Sequence, residues 1–396
     1  MLLSQLTDEL TALSQSGLRR SRREVNVLPG GRCQIGDRTL WNFASNDYLG
    51  LADDARLIHA ATQAMQESGV GARASPLVTG RTRWHVQLEE RLSRFKNSEA
   101  TILFPTGFAA NVGAITALAG PDDVILCDRL NHASLIDGSR LSRAKLRVVP
   151  HCDVDAVRHQ LVRATDFRRR LIVTDSVFSM DGDHAPLREL AALAEEFDAI
   201  LLVDEAHATG VFGTRGTGLL EEQNVTSSRV IAVGTLSKGM GLQGGFVSGS
   251  RILIDWLWNT ARTQVFSTGL SVPVCAAAVV ACDLIEADPQ RRQWLKENSH
   301  KVITALREQG WTIPGQARGP IIPVLIGAPD ETIRLVGELE QRGILVAGIR
   351  PPTVPPRTSR LRLSLNYAHG DEGITQLISA FQSLLGTGKH CFPERD

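Results

Sequence analysis

Lys238 has surroundings that do not suit an ordinary solvated lysine. It lies in Gly-Thr-Leu-Ser-Lys-Gly-Met-Gly-Leu-Gln-Gly-Gly (234–245), straight after the apolar run Val-Ile-Ala-Val (230–233). Ser237, Gly239, Gly241, Gly244 and Gly245 surround it with small residues, which lets a flat ligand approach the backbone. An amine withdrawn from water loses part of its hold on a proton and becomes able to form an imine with a carbonyl. The plain alternative is a surface charge, which is what most lysines are.

Three further places could complete a site. Asp204 ends Ala-Ile-Leu-Leu-Val-Asp-Glu-Ala-His (199–207), and His207 follows three residues on. Asp204 reads either as a turn former or as a carboxylate facing a ring nitrogen that must stay protonated. His207 reads either as a hydrogen-bonded turn histidine or as a second contact to that ring. Thr106-Gly107-Phe108 stands between the run Ala-Thr-Ile-Leu-Phe (100–104) and a helical stretch. The open N–H groups of a helix start can cradle a phosphate. No Gly-Lys-Ser/Thr follows, so this is not a Walker loop. Thr235 can add a hydroxyl to the same phosphate. His132, in Arg-Leu-Asn-His-Ala-Ser (129–134), opens another helix, either as a cap beside Asn131 or as an imidazole stacked on a ring. An amine, a buried carboxylate and a phosphate cradle together describe a site for pyridoxal 5′-phosphate (PLP), an electron sink only while its pyridine nitrogen is protonated.

The elements needed to position these groups are legible. Seven short apolar runs read as strands: 100–104, 124–128, 146–150, 171–177, 199–207, 230–236 and 244–250. They are rich in Val, Ile and Leu without alternation, as in strands buried on both faces. Amphipathic stretches such as 185–199 lie between several of them. Strand–helix–strand succession implies a mostly parallel sheet with right-handed crossovers. Ligands of such sheets gather at the C-terminal strand ends, where Asp128, Asp175, Ser179, Asp204, His207 and Lys238 fall. Three parts are expected: an N-terminal segment (1–52), a large PLP-binding domain (53–284) and a smaller C-terminal α/β domain (285–396). The last contains helices over 290–310, 331–343 and 371–386, strands over 321–327, 344–349 and 360–366, and a frayed tail at 389–396.

Composition narrows the function. Lys+Arg and Asp+Glu are both 43, so net charge is zero and no basic field for nucleic acid or anionic lipid exists. No apolar run reaches the roughly 20 residues of a membrane helix. The first residues read as an amphipathic helix, not a signal peptide. Six scattered cysteines (33, 127, 152, 275, 282, 391) show no zinc spacing and read as reduced thiols, and no metal motif or nucleophile elbow occurs. The expectation is a cytoplasmic enzyme without a metal.

Four ordered motifs, Asn-His-Ala-Ser (131–134), Thr-Asp-Ser-Val-Phe-Ser-Met-Asp-Gly-Asp (174–183), Val-Asp-Glu-Ala-His-Ala-Thr-Gly (203–210) and Gly-Thr-Leu-Ser-Lys (234–238), resemble the α-oxoamine synthase family from about Arg20 to beyond Tyr367. These are fold-type I PLP transferases, aspartate aminotransferase-like in fold. The stretch Gly-Ile-Arg-Pro-Pro-Thr-Val-Pro (348–355) is similar to that of members condensing L-alanine with a pimeloyl thioester, on coenzyme A or acyl carrier protein, in biotin biosynthesis. Glycine-using sisters usually differ there.

The resemblance implies roles. Lys238 would carry the cofactor, Asp204 would face its ring nitrogen, and His207 and Ser179 its phenolic oxygen. His132 would stack on the ring and polarise the thioester. Gly107, Phe108 and Thr235 would hold the phosphate, with Ser267 and Thr268 supplied by the second subunit of a homodimer. Arg362 would take the amino-acid carboxylate, and Arg20 (chosen over Arg19), Asn46, Arg350 and Thr353 the acyl and product end. The loop 69–80 departs from the family pattern, with Arg73 and Pro76 where glycine and serine are usual. The remaining expectations to weigh are a sister condensing enzyme using glycine or serine, an aminotransferase on the same fold, and a PLP-sensing regulator. The regulator is disfavoured by the short N-terminal segment and the neutral charge.

Overall fold

The computed structural model describes residues 2–385, so the tail expected at 389–396 lies outside the described residues. The chain divides into two compact units. The larger comprises Asp47–Ser179 and Asp183–Gln293; the other comprises the residues up to Asn46, Met180–Gly182 and those from Trp294 onward.

The larger unit is built on a seven-stranded sheet. Its strands lie in the order Ala100–Phe104, Gly245–Gly249, Val230–Thr235, Ile200–Asp204, Arg170–Asp175, Val124–Asp128 and Lys145–Val149. Gly245–Gly249 runs antiparallel to both its neighbours, and the others share one direction. Each expected run contains a strand; Ala100–Phe104 and Val124–Asp128 match in full, and the other five shift or shorten by up to three residues at an end. The unbroken apolar runs are explained by burial. Every residue of Ala100–Phe104 and Val124–Asp128 is buried, because helices cover both faces. The edge strand Lys145–Val149 is the exception, with Lys145 and Val148 exposed.

Helices pack by pattern. Leu187–Glu196 buries Leu187, Leu190, Ala191, Leu193 and Ala194, the spacing of a single apolar stripe, and leaves its charges in water. Helix Gly107–Leu118 is apolar nearly all round because the sheet and helix Ala133–Leu141 enclose it. The core between them includes Ile102, Phe104, Ala110, Ala114, Ile115, Ile125, Leu135, Val173, Leu202 and Val233. Among the described residues, no helix is long and apolar enough to cross a membrane. Cys33, Cys127, Cys152, Cys275 and Cys282 are free thiols.

In the other unit the strand expected over 344–349 is two strands in different sheets. Ile344–Leu345 pairs in parallel with Trp41 and Asn42, while Ala347–Ile349 pairs antiparallel with Ser359–Ser364. Val346 is the switch between them. Ser359–Ser364 pairs on its other side with Ile321–Gly327.

Where the chain leaves this sheet, His369 is 1% exposed. Its Nδ1 accepts from Asn366 N at 3.1 Å, and its Nε2 therefore donates to Asn42 O at 3.1 Å. Its ring lies on Phe43, centroids 3.9 Å apart. Burial pushes its pKa down to about 4, against a small opposing pull from the Asn42 carbonyl. A base whose folded pKa is depressed stabilises the fold above its unfolded pKa and loses that contribution as pH falls toward the folded value. Between about pH 7.5 and about pH 5 the protein should therefore lose roughly 2 kcal/mol of unfolding free energy through this residue. Urea unfolding at the two pH values should show a smaller acid loss in His369→Gln than in the parent; an equal loss would contradict the assignment.

Candidate active site

The lysine turn is made by strand pairing. Thr235 and Gly245 face each other in register, so residues 236–244 leave the sheet and return. Leu236 N donates to Gly244 O at 3.0 Å and Leu242 N to Leu236 O at 2.8 Å, closing the excursion that presents Lys238. Two of the glycines around it are also required by the packing of the chain itself. A Cβ on Gly239 would stand 2.5 Å from Thr209 O, and one on Gly245 2.3 Å from Thr106 O. The protein's own backbone needs that space, because the turn is packed by two other segments, at Thr209 and at Thr106.

Lys238 is half-buried, and its Nζ lies 2.9 Å from His207 Nε2. The other ring nitrogen of His207 meets the Tyr48 hydroxyl at 2.6 Å, and Tyr48 is fully buried. Tyr48, in Asn-Asp-Tyr-Leu-Gly (46–50), was missed because its partner is 159 residues away.

Asp204 stands at its strand end, 5% exposed. Oδ1 accepts from Ala206 N at 2.8 Å and Oδ2 from Asn111 Nδ2 at 2.6 Å. Asp175, opposite it on the next strand, is also buried and accepts from His132 N at 2.6 Å. Burial, and then the charge of Asp204, raise the pKa of the Asp175 carboxyl well above the usual range.

His132 caps helix Ala133–Leu141 through Nδ1, which accepts from Ser134 N at 3.3 Å and meets Ser134 Oγ at 2.7 Å. The capping reading therefore holds, and the residue is still exposed toward open space. Burial of part of the ring lowers its pKa; Asp204 opposes this and Lys238 adds to it.

Thr106 caps helix Gly107–Leu118, accepting from Ala109 N at 3.0 Å. The N–H groups of Gly107 and Phe108 have no acceptor among the described residues. Thr235 Oγ1 donates to Gly244 O at 2.8 Å and lies 2.8 Å from Ser237 Oγ. A Cβ on Gly107 would come 3.1 Å from Thr235 Cβ. Two free N–H groups and a nearby hydroxyl form a cradle that a side chain would crowd. Together with the Lys238 amine and the Asp204 carboxylate, this donor set fits PLP.

Ser179 sits in the loop after the strand-end bridge Val177–His184. Ser267 and Thr268 line a separate recess with Pro76, His85, Leu103 and Pro105, not the ground around Lys238. Asp128 turns to His151, whose Nδ1 donates to its Oδ1 at 3.0 Å and whose Nε2 donates to Asp183 Oδ2 at 2.7 Å. Burial works against the His151 charge, but these two carboxylates outweigh it and push the pKa to about 12. His151 with Asp128 and Cys152 has the makings of a metal site. A ring that holds both protons so firmly is an ionic clamp and a poor ligand.

The substrate-side residues fall in the other unit and form two groups. Arg362 Nη1 donates to Asn46 Oδ1 at 3.1 Å and to Ser364 Oγ at 2.9 Å. Arg20 Nη2 donates to Thr353 Oγ1 at 3.3 Å, and Arg350 reaches the Gly17 carbonyl. Arg19 instead turns back to Ser14 at 3.2 Å. Partial burial, then the charge of Arg20, lower the pKa of Arg350.

Residues 38–381 match the family described as aminotransferase class I and II. The chain is 42% identical over 383 residues to 8-amino-7-oxononanoate synthase 2 of Bacillus subtilis, covering 96% of this chain and 97% of that one. Among solved structures, serine palmitoyltransferase of Sphingomonas wittichii is 32% identical, with a TM-score of 0.91 over 96% of each chain. A serine palmitoyltransferase structure with PLP is 28% identical, with a TM-score of 0.91 over 98% of this chain and 99% of that one.

The cradle gives a direct test. Gly107→Ala should weaken binding of PLP to the apoprotein about tenfold, the worth of one well-placed hydrogen bond. An absorbance titration measures it, and unchanged affinity would move the phosphate elsewhere.

Proposed function

Since this chain belongs to the class I and II aminotransferase family and, within it, to the 8-amino-7-oxononanoate synthases, we propose that it is a PLP-dependent acyltransferase that condenses L-alanine with a pimeloyl thioester, releasing CO2, in biotin biosynthesis. The observation that carries the chemistry is the meeting of Lys238, His207, the buried Asp204 and the open start of helix Gly107–Leu118 in one unit.

Bound PLP supplies an electron-poor ring that stabilises negative charge at the amino-acid Cα. Every other task belongs to side chains. Lys238 is the attachment point and, once released, the base that removes the Cα proton. Asp204 keeps the ring nitrogen protonated. His207 and Ser179 hydrogen-bond the phenolic oxygen, and Gly107, Phe108 and Thr235 hold the phosphate. Arg362 takes the alanine carboxylate with its planar fork. Arg20, Asn46, Arg350 and Thr353 receive the acyl and product end. Two adjoining guanidiniums, one with its proton affinity lowered by partial burial and then by the charge of the other, favour an anion there, as the distal carboxylate of a pimeloyl group would be. His132 covers the ring and donates to the thioester oxygen as charge develops on it. The Cα then carries the acyl group in place of its proton, the thiol leaves, and loss of CO2 is followed by return of a proton to Cα.

The working unit we propose is a cytoplasmic homodimer in which Ser267 and Thr268 serve the partner's phosphate site. Exposed Phe266, Leu77 and Val78 flank that recess and support burial there by a second copy.

The serine palmitoyltransferase likeness makes a serine-using sister the reading to test against. Alanine, glycine and serine should each be paired with pimeloyl, acetyl, succinyl and palmitoyl thioesters, with CO2 and product mass measured. Alanine with pimeloyl-CoA, or with the pimeloyl acyl-carrier protein, is expected to give the highest kcat/KM; preference for serine with a long acyl chain would replace the assignment. Lys238→Ala should abolish turnover and the visible absorbance of the bound cofactor together. Amino-group exchange with a 2-oxo acid in place of CO2 release would make the chain an aminotransferase.

A further inference from the structure

We propose that Asn111 and Ser134 are positioning residues that lock His132 into the tautomer protonated on Nε2, so that it meets the substrate as a neutral hydrogen-bond donor. The substrate clause rests on the function proposed above; the tautomer does not.

The argument is one of hydrogen-bond direction. The Asp204 carboxylate can only accept, so the Asn111 group 2.6 Å from its Oδ2 must be the amide nitrogen. That nitrogen has two hydrogens, and the second goes to Ser134 Oγ at 2.9 Å. Ser134 Oγ is thereby an acceptor, which leaves its own hydrogen for His132 Nδ1 at 2.7 Å. Ser134 N, at 3.3 Å, also donates to Nδ1. A nitrogen that receives two donors must present its lone pair. The ring proton of neutral His132 is therefore on Nε2, which has no acceptor among the described residues. Partial burial and Lys238 depress the pKa of His132 against the pull of Asp204, which favours the neutral ring.

The arrangement is costly, and the cost shows what orients it. Asn111 Oδ1 is buried without a hydrogen-bond partner among the described residues. A buried acceptor left without a donor forfeits the hydrogen bonds it would make to water. Rotating the amide would give Oδ1 the Ser134 hydroxyl, but would set it against the Asp204 carboxylate. The fold keeps the unsatisfied oxygen because Asp204 is there. One carboxylate thus fixes an amide, the amide a hydroxyl, and the hydroxyl an imidazole. All four are in one unit.

The experiment is long-range proton–nitrogen NMR on holoenzyme labelled with nitrogen-15 histidine, with His132→Gln identifying the signal. The parent should show an unprotonated Nδ1 and a protonated Nε2 at neutral pH. Ser134→Ala, which keeps only the backbone donor, should shift the tautomer ratio toward Nδ1–H about fivefold, the worth of one hydrogen bond. It should lower kcat by a similar factor while leaving KM for the amino acid unchanged, and Ser134→Thr should restore both. A parent spectrum with Nδ1 protonated overturns the proposal even if the variants fail to fold, as does an unchanged ratio in Ser134→Ala. A shifted ratio in an enzyme that does not turn over alanine sustains the lock and removes the substrate assignment instead.

Discussion

A carboxylate taken out of water at the end of a buried strand must have every lone pair answered, and most of the site follows from how Asp204 is answered. Its own turn supplies one donor, the amide of Ala206. The other comes from Asn111, on a helix that is otherwise a packing element of the sheet. That helix therefore has two jobs at its two registers. Its first turn offers open N–H groups beside Thr235, and its second turn feeds Asp204. Any shift of the helix along the sheet would spoil both at once, and its own Ala110, Ala114 and Ile115, fully buried in the core, hold it in place.

The one antiparallel strand explains how a lysine arrives at the same place. Were Gly245–Gly249 a parallel strand, the chain after Thr235 would need a crossover to reach its start, and the lysine would sit at the beginning of a long connection. Reversal directly after the turn keeps Lys238 within ten residues of two hydrogen-bonded strands. It also brings Gly245 against Thr106, so the phosphate cradle and the lysine turn share a wall.

The parts legible in the sequence are those whose signal is local. Unbroken Val/Ile/Leu runs located the strands, and residues just beyond them, Asp204, His207 and Lys238, were found by position alone. Gly107 was legible because a strand–Gly–helix junction has a known use. Tyr48, Asn111 and Ser134 were not, because each acts through a partner supplied by another element; Asn111 lies 93 residues from Asp204. A signal for Asn111 did exist: it is the one side chain with an amide in a helix otherwise apolar, and a buried amide demands partners. The glycines around Lys238 were legible as necessary, but the backbone contacts of Gly239 and Gly245 were not, since sequence cannot tell approach by a ligand from approach by another loop. The division of 344–349 between two sheets was hidden because both halves carry the same apolar pattern.

The charge of the site is set by what happens to three buried carboxyls. Asp204 ends its strand, and Glu205 follows just beyond it. Glu205, 1% exposed as a residue, is met by Lys96 Nζ at 2.7 Å, which also reaches Thr209 Oγ1 at 3.0 Å. Its charge is cancelled where it stands. Burial and the neighbouring Asp204 both disfavour ionisation of Asp175. Glu205 is thus answered by its own cation, and Asp175 resists adding a second charge beside Asp204. A second charge there would attract protons to His132 and remove the neutral donor; none at all would leave a ring nitrogen free to lose its proton. The pairing of Lys96 with Glu205 matters for that reason: it lets the chain carry two consecutive acids here with the second one answered by its own cation.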